Sequence, residues 1–109
     1  MAIIANHEIE RKPVRLTERC LEMLEEAMEY YAERNLPEQA EKMRSQFFKT
    51  ARLLETMPGI GTIYEGGMRK FPLKKFPYLI YYREHSDYTS IRGIWHTSRG
   101  TGFEDTEEQ

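Results

Sequence analysis

One cysteine stands in the 109 residues, Cys20, so no disulfide can close within the chain, and a buried thiol in a reduced, cytoplasmic protein is the expectation. Long apolar runs are absent too. No stretch approaches the roughly 20 residues of a membrane span, and MAIIANHEIE reaches Glu8 and Glu10 too soon for a signal peptide. A soluble, unexported chain with no membrane contact follows. The standard chemical signatures are likewise missing. There is no Gly-rich loop followed by Lys-Ser or Lys-Thr, no Gly-x-Ser-x-Gly elbow, and no Cys or His spacing suited to a metal. Gly59, Gly61, Gly66 and Gly67 lie after a helical segment, the wrong context for a phosphate cradle. Neither cofactor nor metal is expected.

Acids are scarce in one place. Residues 66–100 hold seven Lys or Arg against two acids, whereas residues 1–65 hold 9 against 12 and residues 101–109 hold none against four. A net charge of -2 hides this partition. The basic stretch is also aromatic: GGMRKFPLKKFPYLIYYREH, then YTSIRGIWHTSR. Apolar, β-branched and aromatic runs broken by short polar links predict a basic antiparallel sheet, suited to an acidic protein or a phosphate backbone.

The rest of the chain reads as helical cover for that sheet. Val14 and Leu16 alternate with Arg15 in a short first strand opened by Pro13. Thr17 is a good N-cap for a helix with Cys20, Leu21, Leu24, Ala27, Met28 and Tyr31 on its apolar stripe. Asn35 and Pro37 separate it from a second helix, Pro37 to Met57, whose stripe is Ala40, Met43, Phe47, Ala51 and Leu54. So short a link makes the two antiparallel. Strands follow at Met68–Leu73, Tyr78–Glu84 and Tyr88 to about Thr97. The fold class is therefore α+β, β-α-α-β-β-β, an antiparallel sheet with a helical hairpin on one face. One domain, 12–100, lies between an N-terminal extension, 1–11, and an acidic C-terminal tail, 101–109, read as disordered. Ile3, Ile4 and Ile9 of the extension either pack or fray. Trp95 and Phe71 are expected to pack under the hairpin, and Arg83 either to pair with a helix carboxylate such as Glu22 or Glu26 or to make a functional contact.

MRKFPLKKFPYLIYYREH and IRGIWHTSR, behind a hairpin ending in MPGIG, resemble the RelE/ParE superfamily, the toxins of type II toxin-antitoxin and plasmid stabilisation systems. The likeness runs from about Val14 to Arg99 and implies a cytoplasmic toxin with a cognate antitoxin as partner. The superfamily divides by target. One branch cuts messenger RNA on the ribosome, which needs a base, an acid and cations at the scissile phosphate. The ParE-like branch poisons DNA gyrase by binding it.

In ribonuclease-type members, basic residues stand near the positions of Arg69, Phe71 and Tyr78. Here the last two are rings, which cannot neutralise phosphate charge, so that set is broken. A rebuilt ribonuclease site would draw on Arg69, Lys74, Lys75, Tyr82 and His96. The ParE-like reading takes Tyr81, Arg83, Trp95, His96 and Arg99 as the target-binding face, with DNA gyrase as partner, and it is preferred. Apolar residues off the helical stripes, Met23, Tyr30 and Phe48, are assigned to antitoxin contact. Two alternatives are carried: a ribosome-dependent mRNA endoribonuclease acting on ribosome and mRNA, and a non-toxic member that only binds its antitoxin and co-regulates transcription.

Overall fold

The computed structural model describes residues 11–100 and 102–105. The helices form where local chemistry places them. The first, α1 (Glu18–Glu33), starts at Thr17, whose Oγ1 accepts from the Cys20 amide at 3.0 Å. It ends at Asn35, which takes a φ of +60° while Leu36 N returns to the Tyr31 carbonyl at 2.9 Å. Pro37 then opens α2 (Pro37–Thr56), where its missing N–H costs nothing.

The predicted stripe of α2 is buried at every position, with Thr50 added. That of α1 is rotated: Cys20, Met23, Leu24 and Ala27 are buried, whereas Leu21 is 45% exposed. Both sets satisfy three- and four-residue spacing, so the period alone does not choose between them. The choice falls to what α1 packs against, which is the last strand of the sheet.

Five strands form that sheet: β1 (Val14–Leu16), β2 (Thr62–Tyr64), β3 (Met68–Pro72), β4 (Tyr78–Glu84) and β5 (Thr89–His96), in the order β1-β5-β4-β3-β2. The α+β class and the hairpin on a sheet are as predicted, with one strand more than predicted. The last four strands pair antiparallel in sequence, while β1 lies parallel to β5, Val14 opposite Thr89 and Leu16 opposite Ile91. Only three residues long and flanked by glycines, β2 has no alternation of its own to betray it; the edge offered by β3 makes it a strand. Gly66 and Gly67, at φ +74° and +78°, provide the reversal between the two.

Alternation along β4 splits its aromatic run. Tyr78, Ile80 and Tyr82 face the helical layer, with Phe71 of β3 alongside Ile80 and against α2, as expected for Phe71. Leu79, Tyr81 and Arg83 point the other way. Trp95, paired across from Leu79, belongs to that second face and meets Phe103 edge-on at 5.6 Å, so it does not pack under the hairpin. Nor are residues 102–105 loose. Phe103 is buried in the core cluster and Asp105 is ion-paired, because the second sheet face has no helix over it and this segment supplies its cover. Residues 1–10, 101 and 106–109, which hold most of the extension and the rest of the tail, lie outside the described residues. Cys20 is fully buried, as expected of a structural thiol.

Candidate functional site

At the C-terminal end of β5 the sheet, α1 and a turn of 3₁₀ helix (Thr97–Arg99) enclose a cleft of about 300 Å³. Tyr78, His96, Ser98, Arg99, Glu26 and Tyr30 line it. Tyr78 and His96 sit opposite each other on β4 and β5, rings edge-to-face at 5.0 Å. His96 Nδ1 accepts from the Ser98 amide at 3.0 Å and lies 2.7 Å from Ser98 Oγ, which leaves the proton of the neutral ring on Nε2. Burial, then the neighbouring Tyr31 and Tyr30, push the Tyr78 hydroxyl up to about 12. Tyr78 is therefore a neutral phenol, a donor rather than a base. Arg99 stands 3.9 Å over the Trp95 ring, and Trp95 donates Nε1–H to the Gly100 carbonyl at 3.0 Å. The end of β5 thus presents an imidazole, a phenol and a guanidinium laid on an indole. These groups can offer hydrogen bonds and positive charge to whatever enters the cleft.

The residues of the rebuilt ribonuclease site do not converge. Arg69 donates to the Gly61 carbonyl at 2.8 Å and pairs across from Tyr82. Tyr82 is fully buried; its hydroxyl donates to the Pro58 carbonyl at 2.7 Å and accepts from the Gly61 amide at 2.9 Å, and burial is the largest cause of its raised pKa. Both residues hold the α2–β2 loop to the sheet. Lys74 and Lys75 are exposed in the β3–β4 turn, Lys75 at φ +71°. His96 is opposite Tyr78, four residues along β4 from Tyr82, which is about 13 Å at strand rise. Arg69 and Tyr82 are thus apart from His96, and Lys74 lines a groove against α2 that His96 does not share.

The proposed target-binding residues are partly covered. Tyr81 is fully buried, flanked by Tyr64 with centroids at 4.8 Å and capped by Phe103. Arg83 donates to the Gly66 carbonyl and pairs with Asp105 at 3.4 Å, whereas Glu22 and Glu26 are paired with Arg19. The predicted helix pairing of Arg83 is corrected accordingly, since Arg83 lies on the sheet face away from the helices. His96 and Arg99 share the cleft, and Trp95, half-buried on the opposite sheet face, lies under the Arg99 guanidinium.

Of the residues assigned to antitoxin contact, Met23 is a core residue at 5% exposure, which corrects its placement on the open side of the hairpin. Tyr30 is 45% exposed under the Arg34 guanidinium, at the rim of the His96 cleft. Phe48 is 37% exposed and lines a groove of about 820 Å³ along the outside of the hairpin, with Leu21, Met28, Ala32, Pro37 and Arg44. Sequence reasoning missed Phe103 and Asp105; the signal was an aromatic and an acid two residues apart, in a stretch read as an acidic tail. Among the described residues no group of His, Cys, Asp or Glu is arranged to hold a metal, and no helix is long and apolar enough to cross a membrane.

Residues 14–100 match the sequence profile described as the ParE toxin of the type II toxin-antitoxin system, parDE. No curated protein sequence matches the chain. Among solved structures, a chain of the chromosomal ParDE TA system from P. aeruginosa is similar, with a TM-score of 0.72 and 20% identity, over 80% of this chain and 97% of that one. At that identity the likeness is one of fold.

Proposed function

The chain belongs to the ParE toxin family of type II toxin-antitoxin systems, and from that premise we propose that it inhibits DNA gyrase by docking on it and is neutralised in the cytoplasm by a cognate antitoxin. The observation that carries the reading is the separation of the ribonuclease candidates. Arg69 and Tyr82 are spent on holding a loop, while His96 and Arg99 line one open cleft at the end of β5, the Arg99 guanidinium reaching over Trp95 on the other sheet face. A cutting site requires base, acid and cations within hydrogen-bond reach of one phosphate. A docking site requires only an exposed, structured patch of aromatic and charged groups.

Antitoxin contact is supported by the groove along the outer hairpin, where Leu21 and Phe48 are exposed between Glu25, Glu29, Glu41 and Arg44. An amphipathic partner segment would bury those apolar groups.

The test is gyrase supercoiling of relaxed plasmid with ATP, with the purified chain added and then with antitoxin. Inhibition by the parent chain, its reversal by antitoxin, and its loss in folded Arg99→Ala and His96→Ala variants are expected. Untouched gyrase together with cleaved transcripts on induction would move the function to the ribosome. Unimpaired growth on expression alone would leave a non-toxic antitoxin-binding protein.

A further inference from the structure

Residues 102–105 form neither helix nor strand, yet the Phe103 ring is 5% exposed. It lies flat on Tyr81, centroids 4.4 Å apart and planes 9° from parallel, and edge-on to Trp95. The space it fills exists because residue 93 is glycine: a Cβ there would stand 2.3 Å from the Phe103 ring. Tyr64 donates its hydroxyl to the Phe103 carbonyl at 3.2 Å. Two residues on, the Asp105 carboxylate receives Arg92 Nε at 3.0 and 3.1 Å and Arg83 Nη2 at 3.4 Å. Arg92 is 1% exposed, and a guanidinium at such depth requires an anion beside it.

This seat specifies its occupant. Alternate residues of an extended segment point to the same side, so a ring and a carboxylate two positions apart enter the glycine notch and meet Arg92 together. No strand pairing joins residues 102–105 to the sheet, and their described contacts run through the Phe103 ring, the Asp105 carboxylate and the Phe103 carbonyl that takes the Tyr64 hydroxyl. Opening alone would strand Arg92 without this carboxylate. Replacement by a segment of like chemistry would not.

We infer that the seat of Phe103 and Asp105 is an exchange site, at which an extended segment of a partner protein carrying an aromatic residue and an acid two positions on displaces this chain's own pair. The exchange swaps like for like, and its direction is set by the partner's concentration against the effective concentration of the tethered segment. It does not depend on gyrase being the target. The partner is an acidic, aromatic-bearing peptide segment because the present occupant is one, its ring on Tyr81 and its carboxylate on Arg92 two residues apart along an extended backbone.

The test uses the full chain carrying Phe103→Ala and Asp105→Ala, titrated with a synthetic capped peptide copying residues 101–106, TGFEDT. Trp95, the single tryptophan, reports on the notch. Saturable change in its emission is expected, with affinity lower by about tenfold or more for the parent chain, whose own segment competes. Peptides with Phe→Ala or Asp→Asn are expected to bind about tenfold or more weakly. No saturable binding to a double variant that circular dichroism shows folded overturns the inference, as does equal binding of all three peptides. Should the double variant unfold, the Phe103→Ala single variant takes its place, and the absence of saturable peptide binding to that folded variant overturns the inference just as it does for the double one.

Discussion

Arg92 and Asp105 meet with Nε 3.0 Å from a carboxylate oxygen, in a place where the Arg92 side chain is 1% and the Asp105 side chain 12% exposed. An ion pair this deep makes each partner a liability without the other. Asp105→Ala is expected to cost about 3 kcal/mol or more, because the buried guanidinium loses its carboxylate. Arg92→Met combined with Asp105→Leu is expected to cost far less than the two single changes summed, since no charge is left buried. Urea denaturation of the three variants reads this coupling directly.

Tyr82 should prove a stability residue. Its hydroxyl joins the Pro58 carbonyl and the Gly61 amide, and Tyr82→Phe leaves both without that partner. A loss of about 2 kcal/mol or more in urea midpoint analysis is expected, with toxicity per folded molecule unchanged. Abolished toxicity at full stability would return Tyr82 to the working site.

Two glycines are expected to differ in how they fail. At Gly61 a Cβ would stand 2.7 Å from the Lys70 carbonyl oxygen and from the Tyr82 hydroxyl, and backbone cannot step aside. At Gly93 the obstacle is the Phe103 ring, backed by Met23 Sδ at 3.1 Å. Gly61→Ala is expected to cost about 3 kcal/mol, at the upper end for overpacking, and Gly93→Ala somewhat less. In a Phe103→Ala background the Gly93→Ala penalty should shrink, whereas that of Gly61→Ala should not. Thermal melts of the four proteins check it.

Alkaline pH should weaken the fold through Tyr78. Its pKa of about 12 exceeds the ordinary value of 10.0 because of burial. The unfolded chain therefore ionises first, and the stabilisation is whole below pH 10 and lost progressively as pH rises from 10 to 12. The slope is expected to approach about 1.4 kcal/mol per pH unit from this group, and Tyr78→Phe should flatten it. Urea midpoints from pH 9 to 12 give the measurement.

Acid acts through His85. Burial, then Arg92 and Arg83, lower its pKa below 6.5, against a smaller opposing effect of Asp87. The ring stacks on Tyr88 at 4.2 Å with Nε2 3.1 Å from Ser90 Oγ, a neutral imidazole in a basic neighbourhood. Its contribution is whole above the unfolded value of 6.5 and is lost as pH falls through 6.5 toward the lower folded value. His85→Gln should remove part of the stability loss seen just below neutral pH.

Much of this molecule was legible from local pattern alone. Thr17, Asn35 and Pro37 delimit two helices because caps and φ preferences act within a few residues. The alternation in YLIYYRE and the short links around it define β4 and its neighbours for the same reason. The order of these elements and the basic aromatic run also carry the resemblance to the family that residues 14–100 match.

What local pattern left open was decided by neighbours distant in sequence. Met23 rather than Leu21 is buried because α1 lies on β5, and both choices obey the helical period. Tyr81 and Tyr82, candidates for binding and chemistry, both vanish from the surface, one beneath Phe103 and one into the loop at Gly61. Residues 62–64 become a strand only against β3. Phe103 and Asp105 are drawn out of an acidic tail by a glycine notch and a buried arginine that lie on β5. Sequence by itself determined which segments other than residues 62–64 were helix or strand, where most of them began and ended, and that cations would gather on the sheet. Tertiary structure decided which of those side chains would be spent on packing, because burial depends on what the folded chain brings alongside each residue.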